Sequence, residues 1–124
     1  MKLSPIVFFV YNRPNLTFKT LSALKKNKLA KYSKIIFFVD KPKNEKDVRL
    51  NNQVIRIIKK EKNFKSKKII FRKKNYGLAK NFIEGMNQTF KKYDRAIILE
   101  DDNLVSSNFL EFMNNSLEIY KDNK

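Results

Sequence analysis

The chain has 124 residues, with 28 lysines and arginines against 12 acids, a formal net charge of +16, and neither cysteine nor histidine. Those absences exclude a disulfide framework, a thiolate or imidazole zinc site and histidine acid–base chemistry. Any bound metal must then be held by oxygen ligands, as magnesium, manganese and calcium are.

An apolar content of 42% is ample for a folded core, and the length suits one domain spanning residues 1–124. The excess charge by itself favours a polyanionic partner. Lysine far outnumbers arginine, however, and asparagine and isoleucine are also abundant, a bias that an AT-rich coding sequence produces without any binding surface. With no RNP-type aromatic motif either, no specific nucleic-acid partner is expected. The densest basic run, KKEKNFKSKKIIFRKK from Lys59 to Lys74, suits peripheral contact with an anionic membrane surface, or plain solvated helix and loop. No stretch approaches the ~20 apolar residues of a spanning helix, and the early IVFFVY run is too short for a signal peptide. The expectation is a cytoplasmic protein, at most peripheral to the inner face of the membrane.

In chain order, the first apolar run is PIVFFVY, Pro5 to Tyr11. A helix opens at Pro14 and Asn15, with Phe18, Leu21 and Leu24 expected on one face. The second run is KIIFFVD, Lys34 to Asp40. Asn44, with Asp47 three residues on, resembles a helix start before Val48, Ile55 and Ile58. The third run is KKIIFRK, Lys67 to Lys73, followed by a stripe of Leu78, Phe82, Met86 and Phe90 at every fourth position. The fourth is RAIILED, Arg95 to Asp101. Asn108 and Glu111 then introduce a last helix expected to bury Phe109, Phe112 or Met113, and Leu117. The runs are too short for independent helices and apolar at consecutive positions, so they read as strands covered on both faces. Four βα units in this order predict an α/β fold: an open, mostly parallel sheet with helices on both faces.

Ligands of open parallel sheets bind beyond the carboxyl ends of the strands. The four exits carry Asn12 and Arg13, then Asp40, then Asn75 and Gly77 after two lysines, then Glu100, Asp101 and Asp102. Adjacent carboxylates repel one another, and a divalent cation relieves that cost. Nearby cationic side chains suit an anion that also touches the metal, and a metal-bound diphosphate meets both demands. The glycine-rich phosphate loops GxxxxGK[ST] and GxGxxG are absent, which argues against a P-loop or dinucleotide-dehydrogenase reading. A phosphoacceptor receiver domain needs its acidic pair after the first strand, where this chain has YNRP.

The ordered combination of PIVFFVYNRP, IIFFVD, NYGLAKNFIEGMN and ILEDD resembles the nucleotide-binding half of GT-A glycosyltransferases. It is closest to family 2 and the N-acetylglucosaminyltransferase I type, and the resemblance spans nearly the whole chain. It implies a Rossmann-like half that binds a nucleoside diphosphate sugar, a UDP-sugar favoured. The donor sugar would pass, with inversion, to a hydroxyl of a glycan or lipid-linked acceptor. By position, Asp102 is the implied ligand of Mn2+ or Mg2+. Asp101 is implied on ribose or sugar hydroxyls, Glu100 beside the donor sugar and Asp40 on the uracil edge. Asn12 and Arg13 would flank the base, and Asn75 and Gly77 would shape the turn. Lys80 stands where the family often has arginine, and lysine lacks arginine's planar, bidentate fork. The family's acceptor half and its general base are expected after this region, so donor binding is expected to survive in the 124-residue chain while transfer is weak or absent. A non-catalytic nucleotide- or anion-binding module is the alternative.

Overall fold

The computed structural model describes residues 2–120, the side chain of Tyr120 apart. Strands β1 (Ile6–Val10), β2 (Lys34–Val39), β3 (Ser66–Phe71) and β4 (Ile97–Glu100) alternate with helices α1 (Pro14–Lys25), α2 (Glu45–Lys60), α3 (Leu78–Lys92) and α4 (Phe109–Tyr120). A short 3-10 turn, Ala30–Tyr32, leads into β2. The strands form one parallel sheet in the order β3-β2-β1-β4. The expected α/β sheet of four βα units is therefore present, and every strand pairing in it is parallel.

The strand order dictates where the helices go. From β1 the chain steps to β2 and on to β3, then reverses and crosses to the other side of β1 to form β4. Right-handed crossovers put helices on opposite faces when the direction reverses. Accordingly Leu21 and Leu24 of α1, Val54 and Ile58 of α2 and Leu110 of α4 share one core with Ile6, Phe8 and Val10. α3 alone packs on the other face, where Phe82 and Met86 meet Val7, Phe9, Ile36 and Phe38. β1 is buried along its whole length, since it has strands on both sides and helices on both faces. Full burial of side chains such as Ile6, Val7 and Phe8 contributes about 1.5–3 kcal/mol each, which makes this strand the centre of the fold.

The helical stripes need revision in detail. Leu21 and Leu24 are buried as expected, but Phe18 is 60% exposed. In α2 the Asn44 cap forms, its side chain accepting from the Asp47 N–H at 3.1 Å. Val48 lies on the exposed side while Val54 is fully buried. In α3 only Phe82 and Met86 of the four-residue stripe pack into the core, whereas Leu78 and Phe90 are exposed. The stripe at Phe82, Met86 and Phe90 lies one residue, about 100°, round the helix from the lane that meets the sheet most directly. The buried lane of α3 instead runs through Asn81, Gly85 and Thr89. In α4, Phe109, Met113 and Leu117 pack inward with Leu110, and Phe112 is exposed.

Gly85 sets how closely α3 approaches the sheet. A Cβ at this position would lie 2.6 Å from Cε1 of Phe9 and 3.3 Å from Cδ2 of Phe38. Phe9 cannot easily yield, being stacked on Phe38 at 5.2 Å between centroids and tilted against Phe82 at 5.1 Å. Gly85→Ala gains helix propensity of about 1 kcal/mol, but forcing a methyl into this contact costs about 1–3 kcal/mol. The expected outcome is a net loss of stability in urea denaturation, and a more stable variant would contradict the close packing.

Candidate functional site

At the carboxyl edge of the sheet, where the strand order reverses between β1 and β4, the chain encloses a cavity of about 400 Å³. Its walls include Tyr11, Asn12 and Arg13 from the end of β1, Asp40 from the end of β2, Asn75 and Gly77 from the β3–α3 connection, and Asn81 from α3. Glu100, Asp101 and Asp102 follow β4 and complete the wall. Eight of the nine residues singled out in the sequence thus surround one space. Lys80 does not line it: its ammonium lies 4.6 Å from the ring centroid of Tyr76.

The Asp40 carboxylate is 5% exposed with its residue and is saturated by local donors. One oxygen accepts from the N–H groups of Lys41 and Tyr76, both at 2.9 Å. The other accepts from the Gly77 N–H at 2.9 Å and, more weakly, from the Asn75 amide at 3.4 Å. An ionised carboxylate offers about four acceptor positions, and all four are taken. The aspartate therefore clamps the β3–α3 loop to the end of β2. Gly77 is shaped for this clamp, with φ of 81° and ψ of 162°, a region that is essentially glycine's alone.

A second cluster ties α2 to the ends of β1 and β2. The Asn51 amide donates to the carbonyls of Tyr11 and Asp40, at 2.8 and 3.0 Å. Asp47 accepts from the Tyr11 hydroxyl at 2.8 Å and the Asn12 amide at 2.9 Å. These bonds to its charged form hold the Asp47 carboxyl below its ordinary value, with Tyr11 the larger cause. Burial, with Asp47 second, pushes the Tyr11 hydroxyl up. Asn12 is thereby turned toward α2, and its amide hydrogens are partly spent there.

The acidic triplet has three different fates. Asp101 is buried and held by both the Nε and a terminal nitrogen of Arg13, while its carbonyl accepts from the Thr20 hydroxyl at 2.7 Å. Burial pushes its carboxyl up, against the pull of Arg13. Glu100 is half-buried, its N–H capped by Asn103 Oδ1 at 2.8 Å. Asp102 is exposed, and its carboxylate has no hydrogen bond or ion pair among the described residues. Arg13 remains half exposed, and Lys43 also lines the cavity.

No group of three acidic side chains among the described residues converges as a preformed metal cage. The donor set still fits one kind of ion. Magnesium-like cations are commonly held by one or two carboxylates and completed by substrate phosphates and water. Asp102 supplies such a carboxylate, Glu100 lies on the same wall, and Asp101 is committed to Arg13.

Several residues on which this site depends were not singled out in the sequence. Arg72, just past β3, is buried and donates to Asn81 Oδ1 at 2.8 Å and to Gln88 Oε1 at 2.6 Å. Its guanidinium lies between the rings of Phe38 and Tyr76, 4.9 Å from each centroid. Within a run of lysines this arginine has no local mark. Asn51 is similarly hidden in a polar stretch, and Asp47 reads only as a helix-start residue.

No protein-family model matches the chain, and no curated protein is significantly similar to it.

Removing the Asp40 carboxylate strands the N–H groups of Tyr76 and Gly77. Asp40→Ala is expected to lower stability by about 2–3 kcal/mol, read from urea denaturation, and to raise hydrogen exchange at residues 75–78. Unchanged exchange there would show that the loop holds itself. The Asp47 bonds carry a pH signature. Because its folded pKa lies below the ordinary 3.8, its contribution is present above that value and is lost as pH falls through the folded value. The stability gap between wild type and Asp47→Asn should therefore close below about pH 4. A gap that does not vary with pH would mean that the charge on Asp47 is immaterial.

Proposed function

We propose that this chain binds a nucleoside diphosphate sugar with Mn2+ or Mg2+, as the donor-binding part of a glycosyltransferase. The observation that carries the reading is the pairing of a free carboxylate, Asp102, with the cationic Arg13 and Lys43 on one cavity at the strand-order reversal. That combination suits a ligand that is anionic itself and is bound with a cation. The absence of a glycine-rich loop accords with phosphates held by metal and side chains.

In this reading Asp102 holds the ion, with Glu100 near enough on the same wall to orient the donor sugar. The metal, when bound, would stabilise negative charge developing on the leaving diphosphate. Arg13 is positioned by Asp101, so the buried carboxylate acts through the guanidinium and does not itself meet the sugar. Tyr11 and the 75–77 loop form the side of the cavity on which the base would lie. Asp40 shapes that side through Tyr76 and Gly77. A uracil N–H would reach the Asp40 carboxylate by displacing the Asn75 amide, the longest of its four contacts at 3.4 Å. Lys80 props Tyr76 from outside the cavity and is not assigned to the phosphates.

The test is calorimetric titration of UDP with manganese and with EDTA, on the wild type and on Asp102→Ala. Binding is expected only with manganese and should weaken at least about tenfold in the variant, as loss of a metal-ligating carboxylate predicts. Asp102 is exposed and unpaired, so its removal should leave the urea midpoint unchanged. UDP binding that ignores both manganese and Asp102 would overturn the metal role. No binding under any condition would overturn the donor reading.

A further inference from the structure

The basic run Lys59–Lys74 does not form one surface. Alternation along β3 sends Lys67 to one face of the sheet, where its ammonium caps α2 through the carbonyls of Ile58, Lys59 and Glu61 at 2.9, 2.7 and 2.7 Å. Lys68 points to the opposite face, in line with Ile70. That face has a single helix for four strands, and α3 leaves a lane uncovered along β2 and β3.

The lane is a groove of about 530 Å³ whose partly exposed apolar lining is Ile70 and Tyr93, with Ile36 and Phe38 buried beneath. Its rim carries four exposed lysines: Lys34 from the start of β2, Lys68 from β3, and Lys91 and Lys92 from the end of α3. No acid lines it. Lys91 and Lys92 also suit the negative end of their helix, but Lys34 and Lys68 come from strands and have no such reason. Lys34 and Lys92 both lie over the Tyr93 ring, 5.9 and 5.6 Å from its centroid, and none of the four is paired with an acid among the described residues.

We propose that this groove binds a single-chain anionic amphiphile, its alkyl tail against Ile70 and the Tyr93 ring and its phosphate or carboxylate among the four lysines. Charge complementarity selects the head and the apolar lining selects the tail, so neither a free anion nor a neutral lipid satisfies both. Lysine ammonium groups act as point charges without a bidentate fork, which suits a headgroup whose orientation is not fixed. Its lysines sit toward the amino ends of β2 and β3 and at the end of α3, and the groove shares no lining residue with the cavity at the carboxyl edge.

The probe is decyl phosphate, kept below its micellar concentration and titrated calorimetrically into the full chain. Inorganic phosphate and neutral decyl maltoside are titrated in parallel. The double variant Lys34→Glu/Lys68→Glu changes only exposed side chains, and its fold is checked by circular dichroism and its UDP titration. Decyl phosphate binding is expected to fall at least about tenfold in the variant. Inorganic phosphate and decyl maltoside are each expected to bind far more weakly than decyl phosphate. Equal decyl phosphate binding by variant and wild type would overturn the proposal. So would an affinity for inorganic phosphate or decyl maltoside matching that for decyl phosphate. Should decyl phosphate fail while generic duplex DNA binds through the same lysines, the groove belongs to nucleic acid and the proposal is wrong. Manganese-dependent UDP binding reports on the other cavity, so failure of one reading is distinguishable from failure of the other.

Discussion

The cavity depends first on the buried carboxylate of Asp40. Parallel strands end without a reciprocal turn, so something must fix the direction in which each connection leaves the sheet. Here one side chain collects donors from its own successor residue and from the loop after β3, including the N–H groups of Tyr76 and Gly77. Its backbone carbonyl is held in turn by Asn51 of α2. A loop, a helix and a strand end are thereby joined at a single residue, and the wall of the cavity follows from that junction. Charge-assisted bonds of this kind are roughly twice as strong as neutral ones, which suits a clamp made by one side chain.

The sheet order supplies the second constraint. Reversal of the chain after β3 places α3 alone on its face, and β1 becomes the strand flanked by β2 on one side and β4 on the other. The crevice lies at the carboxyl ends of β1 and β4. Its depth depends on how near α3 comes to the sheet, and hence on Gly85 against Phe9 and Phe38. Arg72 continues the same packing toward the cavity, since its guanidinium joins Phe38 on the sheet to Tyr76 in the loop. The same one-helix face leaves the lysine-rimmed groove, so both depressions follow from a single topological choice.

Charge is divided by position. The three adjacent acids after β4 would repel one another as equals, but the structure gives them unlike surroundings. Asp101 is neutralised by Arg13, Glu100 is half-buried at the strand end, and Asp102 is left to solvent. Neither Glu100 nor Asp102 has a partner on its carboxylate among the described residues, and Asp102 is the more exposed of the two. A chain of +16 thus keeps an unpaired carboxylate at one edge of its sheet, while lysines dominate the groove near the other. This distribution accounts for the abrupt change from apolar strand to acidic turn in ILEDD: one acid secures Arg13 and another is presented outward.

The sequence by itself determined the number and order of elements, because four short apolar runs separated by helical stretches admit few parallel arrangements. It also determined that polar groups gather at the strand exits, and the eight candidate residues named there line one cavity. What only the tertiary structure decided is how each of those residues is used. Whether Asp40 faces a ligand or a loop depends on where Tyr76 and Gly77 return, 36 and 37 residues later. Whether Asp101 is free depends on Arg13, 88 residues earlier. The helical stripes failed in part for a related reason: a local period states which residues could share a face, while Leu78 and Phe90 are exposed because the face of α3 that meets the sheet is centred on Asn81, Gly85 and Thr89. Local pattern records which groups are available. The free energy of burying and pairing them is set by partners remote in the chain, and only the folded arrangement brings those partners together.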